Sequence, residues 1–217
     1  MNNISELKSV LEGVTSKSCP TSINLHCHTI CSDGSLTPAE LIKQAADKNV
    51  NHISVTDHHN ISSYPAMYDW LDQNRSCYKK LPNLWTGIEI SCLLSRCLVH
   101  AIGLGFDLSH YSITPYICGE APSGDYLQAQ NVVRSIHLAG GIVLLAHPAR
   151  YRLPFTQLIN EAANIGFDGA EAWYDYQFSS HWRPTKLVCD SIDNQLKQLN
   201  LLSSCGTDTH GYSIFSR

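Results

Sequence analysis

The chain has 217 residues, a net charge of −4, 43% hydrophobic residues and 16% charged residues. This composition excludes a disordered chain, allows one domain with a sizeable core, and argues against a broad nucleic-acid-binding face while leaving room for a site that holds one phosphate group. No apolar run reaches transmembrane length, and nine cysteines, an odd count with no stapled-scaffold pattern, point to reduced thiols in the cytoplasm.

Residues 1–21 read as an N-terminal extension. Its stretch "ISELKSVLEGV" has the pattern of a short amphipathic helix packed on the flank of the main domain, and it lacks the apolar block of a signal peptide. Short apolar runs then predict strands at Ile23–His28, His52–Asp57, Leu84–Ser91, Leu98–Leu104, Ile142–His147, Gly169–Trp173 and Leu201–Gly206. The best marked helix lies in "TPAELIKQAADKN", where Thr37 can cap, Pro38 suits the first helical position and Glu40 completes a capping box. Further helices are predicted at Ser63–Asn74, Tyr126–Ala139, Phe155–Ile165 and Pro184–Leu199. The turn-rich stretch Phe106–Asp125 reads as a lid or a small insertion. Alternating strands and helices predict a parallel sheet, open or closed into a barrel. The polar residues favour a barrel: His26, His28, Asp57, His58, Glu89, His147 and Asp208 all fall at or just past strand ends, which a barrel gathers into one mouth.

The stretch "NLHCHTICSDG" carries the first metal-type residues. A strand has a period of two, so His26 and His28 share one face, while Leu25 and Cys27 point into packing. Asp33, in a turn marked by Gly34, can swing back toward the same mouth. "TDHHN" adds Asp57, His58 and His59. "GIEIS" places Glu89 in an apolar strand, where an unpaired carboxylate would cost several kcal/mol. "VHAIGLG" adds His100, "LLAHPAR" adds His147, and "CGTDTHG" adds Asp208 and His210. Imidazole plus carboxylate without thiolate suits zinc, manganese or iron, and so many ligands exceed one tetrahedral site. Two or three ions sharing a bridging carboxylate would activate water and clamp the oxygens of a displacement.

The stretches "NLHCHTICSDGSLTPAEL", "ISVTDHHN", "GIEIS", "VHAIGLGFD", "LLAHPARY" and "CGTDTHG" closely resemble the PHP (polymerase and histidinol phosphatase) family, in order from about Ile23 to Gly211. The likeness is greatest to its small stand-alone metal-dependent phosphoesterases. It implies a distorted (β/α)7 barrel over residues 22–217, a PHP metal-dependent hydrolase domain with two to three divalent ions, whether manganese, zinc, iron or magnesium. By the motifs, His26, His28, Glu89 and Asp208 would hold one ion. Glu89 would bridge to a second with His100 and His147, and Asp33, His58 and His210 would form a third position. Asp33 stands where some members have histidine, a harder ligand that suits manganese or magnesium.

Arg150, three residues past His147, is expected at the mouth, where a guanidinium can fork onto phosphate oxygens; a surface salt bridge is its alternative. Arg183 and Lys186 are weaker candidates. Asp57 is expected to hydrogen-bond a metal-site histidine; His59, beside a ligand, could orient His58 or Asp57, with a packing role as its alternative. His52, His110, His137 and His181 read as surface or packing residues, and "CLLSRC" as a weak zinc signal. The expected activity is hydrolysis of phosphomonoesters, either a small phosphorylated metabolite or a nucleotide, with Glu89, Asp208 and Arg150 as catalytic residues and Asp208 or a nearby histidine carrying a proton. The alternatives are a nuclease acting on short single strands and a metal-bound regulatory module without turnover. No membrane partner is expected.

Overall fold

The structure is a computed structural model that describes residues 4–179 and 181–217. Two sheets carry the fold. The first contains β1 (Ile23–Asn24), β2 (His52–Ser54) and β3 (Asn83–Trp85), all parallel. The second runs in the order β4 (Gly87–Leu94), β5 (Cys97–Leu104), β6 (Ile142–Leu145), β7 (Gly169–Trp173), β8 (Leu202–Cys205). The stretch expected as one strand, Leu84–Ser91, is divided between β3 and β4. It changes sheets at Gly87, where a β-carbon would stand 2.1 Å from Ser54 Oγ.

The expected all-parallel sheet is not what forms. β5 runs antiparallel to both β4 and β6, and only β6, β7 and β8 are mutually parallel. The cause is local. Only Ser95 and Arg96 separate β4 from β5, and both have positive φ (50° and 61°). That is the conformation of a two-residue hairpin turn, which can join only antiparallel strands.

The mixed α/β fold is as expected, but a closed barrel is not seen: the strands form two sheets that are not closed into one ladder. They meet at isolated bridges, Cys27 with Thr209 on one side and His58 with Glu89 on the other. Backbone bonds reinforce the first seam: Leu25 N donates to Cys205 O at 3.1 Å, and Asp208 N donates to His26 O at 2.8 Å. The predicted first strand is correspondingly short, because past Asn24 the chain leaves the ladder while keeping an extended course toward the seam.

Among the described residues six helices cover the sheets: α1 (Ile4–Glu12), α2 (Pro38–Asp47), α3 (Ser63–Asn74), α4 (Ala129–Leu138), α5 (Phe155–Asn164) and α6 (Lys186–Gln198). α2 starts as its sequence dictates. Thr37 Oγ1 accepts from Glu40 N, and Glu40 accepts from Thr37 N at 2.9 Å. α4 starts later than expected because Gly124–Leu127 forms a separate 3-10 turn. α2 and α3 pack over the first sheet around Leu41, Ile42, Ile53, Val55 and Met67. α4, α5 and α6 pack on the second sheet around Val132, Ile136, Leu158, Ile192 and Leu196. In α1, Leu7 and Leu11, one turn apart, are buried in this second core. α1 reaches Gly105 and Asn83, at the end of the sheets opposite the histidines. No helix of the described residues is long and apolar enough to cross a membrane.

The stretch Phe106–Asp125 is not a lid. It carries a 3-10 helix, Tyr111–Tyr116, that buries Ile113 and Tyr116 in the core. It is fastened by Ser112 Oγ donating to Ser135 O at 2.6 Å and Gly119 N donating to His59 O at 2.9 Å.

Candidate metal centre

The centre is built on Glu89. Its carboxylate lies in β4, 1% exposed, and five imidazoles converge on it. Oε2 stands 3.0 Å from His26 Nε2, 3.1 Å from His28 Nε2 and 3.5 Å from His58 Nε2. Oε1 stands 2.8 Å from His100 Nδ1 and 3.1 Å from His147 Nε2. His26 and His28 arrive together because they alternate with Leu25 and Cys27, both fully buried, Leu25 in the core of the second sheet and Cys27 in that of the first. His100 lies inside β5 rather than at a C-terminal strand end. The antiparallel hairpin brings it there, opposite Ser91.

Asp208 completes the arrangement from the segment after β8. Its Oδ1 is 3.2 Å from His28 Nε2 and 3.4 Å from His26 Nε2. Gly206 permits this approach, since a β-carbon there would lie 2.2 Å from the His26 β-carbon. Asp33 does return to the mouth. Its Oδ2 is 3.2 Å from His210 Nε2 and 3.8 Å from His58 Nε2. Gly34 allows the turn, because a β-carbon there would sit 2.5 Å from the His28 carbonyl.

Charge in the cluster is balanced by contact. Burial disfavours a charged His26, yet Glu89, Glu171 and Asp208 outweigh it and hold its pKa well above the ordinary imidazole value. For His28, Asp208 and Glu89 likewise overcome burial and raise the pKa to about 9. Burial wins at His58, which falls to about 4, and at His147, which is also lowered. Glu89 and Asp208 are held well below the carboxylate range in spite of burial, by His26 with His100 and by His26 with His28 respectively. The hydrogen bond from His210 is the main reason Asp33 is lowered.

Among the described residues, three groups of side chains bring their ligand atoms within 4.8 Å of one another: His26, His28, Glu89 and Asp208; His28, Asp33, His58 and His210; and His58, Glu89 and His100. The residues fit divalent ions. Both ring nitrogens of buried His28 lack an aligned hydrogen bond, as does His147 Nδ1, although carboxylate oxygens lie close to His28. Imidazole nitrogens aimed between carboxylates, rather than along hydrogen bonds, are disposed around shared points as ligands are. His58 stands between two of the groups. His147 is in none of them and reaches the cluster through Glu89 Oε1.

Several expectations are corrected. Asp57 bonds no histidine; it accepts from Thr29 N and Thr29 Oγ1 at 2.7 Å each and from Ser32 Oγ at 2.8 Å, fixing the loop after His28. His59 Nε2 lies 3.3 Å from Ser91 Oγ, and its ring stacks at 6.2 Å from that of His58. None of the metal-type groups among the described residues contains a cysteine, and Cys92 and Cys97 are buried hairpin residues. Lys186 is paired with Asp190 at 2.6 Å on the surface of α6. His52 accepts from Trp85 Nε1, and His137 pairs with Asp168 at 2.8 Å, as bland residues should.

Arg150 stands at the mouth with its side chain 32% exposed, and its Nη1 donates to Asp208 Oδ2 at 3.1 Å and Tyr174 Oη at 3.0 Å. The Tyr174 hydroxyl donates to the same Oδ2 at 2.6 Å, and Arg217 Nε approaches it at 3.0 Å. Asp208 is thus shared, one oxygen facing imidazoles and the other facing cations. The sequence reading missed Tyr174, Arg217 and Glu171. Glu171 carried a usable signal: like Glu89, it is a carboxylate alternating with apolar residues in a strand.

Cys27 lies between two of these histidines yet packs with Leu36, Leu41 and Ile53, away from the cluster. Cys27→Ala should therefore destabilise by about 1–2 kcal/mol through the lost packing. A melting curve should fall by roughly 2–8 °C with ion content unchanged. Loss of ions at an unchanged melting temperature would place the thiol in the centre instead.

Known proteins resemble the chain in sequence or in fold. A 5'-3' exoribonuclease of Haemophilus influenzae is 30% identical over 151 residues, 64% of this chain and 53% of that one. A 3',5'-nucleoside bisphosphate phosphatase of Chromobacterium violaceum is 34% identical over 85 residues, 39% of this chain and 28% of that one. The chain thus spans about half the length of the first relative and less than a third of the second. The solved structure of a proposed metal-dependent phosphoesterase from Bifidobacterium adolescentis shares the fold, with a TM-score of 0.69 at 20% identity over 89% of each chain. The sequence model of the PHP domain matches residues 24–152, more than half of the chain and the stretch from His26 to Arg150, and the chain belongs to the PHP domain family.

Proposed function

We propose that this chain is a metal-dependent phosphoric ester hydrolase acting on phosphomonoesters of small metabolites or nucleotides in the cytoplasm. The observation that carries this reading is the buried Glu89 carboxylate, whose two oxygens face five imidazoles with Asp208 beside them. Two to three divalent ions, whether manganese, zinc, iron or magnesium, would be held by His26, His28, Glu89 and Asp208, by Glu89 with His100 and His147, and by Asp33, His58 and His210. Bound there, they would supply Lewis-acid charge and an activated water for attack on phosphorus.

The protein's own groups do the rest. Glu89 would keep neighbouring ions at a fixed separation through its two oxygens. Arg150 would meet the phosphate oxygens that the ions leave free, since one edge of its guanidinium is held by Asp208 and Tyr174 while the side chain stays partly exposed. The arginine is thereby oriented before substrate arrives. The relative from Haemophilus influenzae, a 5'-3' exoribonuclease, supports a second reading in which the ester belongs to a short single strand. Phe178 at the same rim is exposed and lies under Arg150 and Arg217, at 5.5 and 4.6 Å from the ring centre. Such a ring could stack a base.

The test is a panel of phosphorylated metabolites, nucleotides and short oligonucleotides, assayed with manganese, zinc or magnesium against a chelated control. Ion-dependent release of phosphate from monoesters supports the first reading. Cleavage confined to oligonucleotides supports the second, and no turnover with any ion rejects both. Within that assay, Arg150→Ala should reduce monoester turnover roughly tenfold to a hundredfold, the scale of one charge-assisted contact of about 1.5–3 kcal/mol. Ion content should hold, because Arg217 and Tyr174 still partner Asp208. Unchanged turnover would leave Arg150 as a salt bridge to Asp208.

A further inference from the structure

Glu171 is fully buried in β7, between Ala170 and Ala172. A carboxylate there loses its water and needs partners of its own. It has two, from opposite parts of the chain. Oε1 is 3.1 Å from His26 Nδ1, and Oε2 accepts from the backbone N–H of His147 at 2.9 Å. It belongs to none of the metal-type groups.

Each contact has a chemical consequence. Oε1 faces Nδ1 as an acceptor, so once Nε2 serves as a bare ligand nitrogen the remaining proton of His26 sits on Nδ1. The other nitrogen, Nε2, then turns toward Glu89 Oε2 and Asp208 Oδ1, at 3.0 and 3.4 Å. A histidine that ligates through Nε2 needs this tautomer and this ring orientation. His147 has φ 27° and ψ 61°, left-handed values that a residue with a β-carbon adopts only under constraint. The bond from its N–H to Glu171 is part of that constraint, and it sets where the His147 ring enters the cluster.

We propose that Glu171 is a positioning residue that holds the tautomer of His26 and the backbone of His147 together, so that one buried carboxylate prepares both ends of the cluster for ions. This role rests on the metal-dependent reading given above. It separates the two buried glutamates, for Glu89 faces the imidazole nitrogens that would ligate, while Glu171 faces a ring nitrogen and a backbone N–H that would not.

Glutamine at this position tests the role closely. Its amide has the shape of the carboxylate but one accepting oxygen, so it cannot accept from both His26 and His147 at once. For the full chain loaded with zinc, competition with a chelator should show Glu171→Gln binding zinc roughly ten- to a hundredfold more weakly than wild type. Nitrogen-detected NMR of the zinc-loaded chain should show wild-type His26 carrying its one ring proton on Nδ1 and the variant in a mixture. Glu171→Asp, which keeps the charge but is one methylene too short to reach both partners, should fall between the two. It also serves if the glutamine variant does not fold. Wild-type zinc affinity with an unaltered His26 tautomer in the folded variants would overturn the role, even if melting shifted. Wild-type protein that takes up neither zinc nor manganese, iron or magnesium would overturn the metal-dependent reading and this role with it. Normal loading of wild type and variant alike would overturn the role of Glu171 alone.

Discussion

Glu89→Gln should lower turnover roughly a thousandfold, equivalent to about 4 kcal/mol of transition-state stabilisation, and should reduce the ion content of the purified protein. The amide keeps the shape of the side chain but removes the charge that five imidazoles face, two on Oε1 and three on Oε2. Its nitrogen would also point a donor at one set of them. Whichever way the amide turns, either the His26, His28 and His58 side or the His100 and His147 side loses its acceptor. Because the charge that both sets face is lost as well, both halves of the centre should suffer, and elemental analysis should show fewer ions, not one ion fewer at a fixed position. Full ion content with near-normal turnover would show that Glu89 is not shared between ions.

Asp208→Asn is the second large change, and it should act on stability as well as turnover. Asp208 is 2% exposed, with Oδ1 facing His26 and His28 and Oδ2 facing Tyr174, Arg150 and Arg217. Its φ of 53° is one that asparagine adopts readily, so the backbone should not be disturbed. An amide nitrogen must replace one oxygen and meet donors on either side. Removing one partner of a buried charge network costs about 3–5 kcal/mol. The low end applies here because both guanidiniums are partly exposed, so the melting temperature should fall by roughly 6–12 °C. Turnover should fall roughly a hundredfold or more, since an ion ligand and the anchor of Arg150 are lost together. The melting temperature is to be measured with a chelator present, which isolates the protein's own network from ion binding. An unshifted melting temperature there would mean that the two arginines find other partners.

Much of the centre could be read along the chain. His26 and His28 are legible because a strand's period of two places both on one face and Cys27 on the other, a rule that needs no partner. Glu89 is legible because a carboxylate in an apolar strand needs a reason to be there. The α2 helix start is equally local, its capping box closed within four residues.

What the chain alone left undecided depends on which segments meet. The hairpin of β4 and β5 was within reach, because the short gap between the predicted strands leaves no room for a parallel crossover, but the alternation of strands and helices elsewhere concealed it. Asp57 and His59 stand beside a ligand in sequence, yet their partners are set by loop geometry, which adjacency does not convey. Glu171 lies 145 positions from His26 in the chain, and Tyr174 lies 34 from Asp208. Residue type and periodicity determined which side chains could bind an ion, because chemistry and strand geometry are properties of a short segment. Only the tertiary structure decided how those side chains are oriented and which charges balance them, because sheet pairing and seam contacts join segments whose separation no local pattern records.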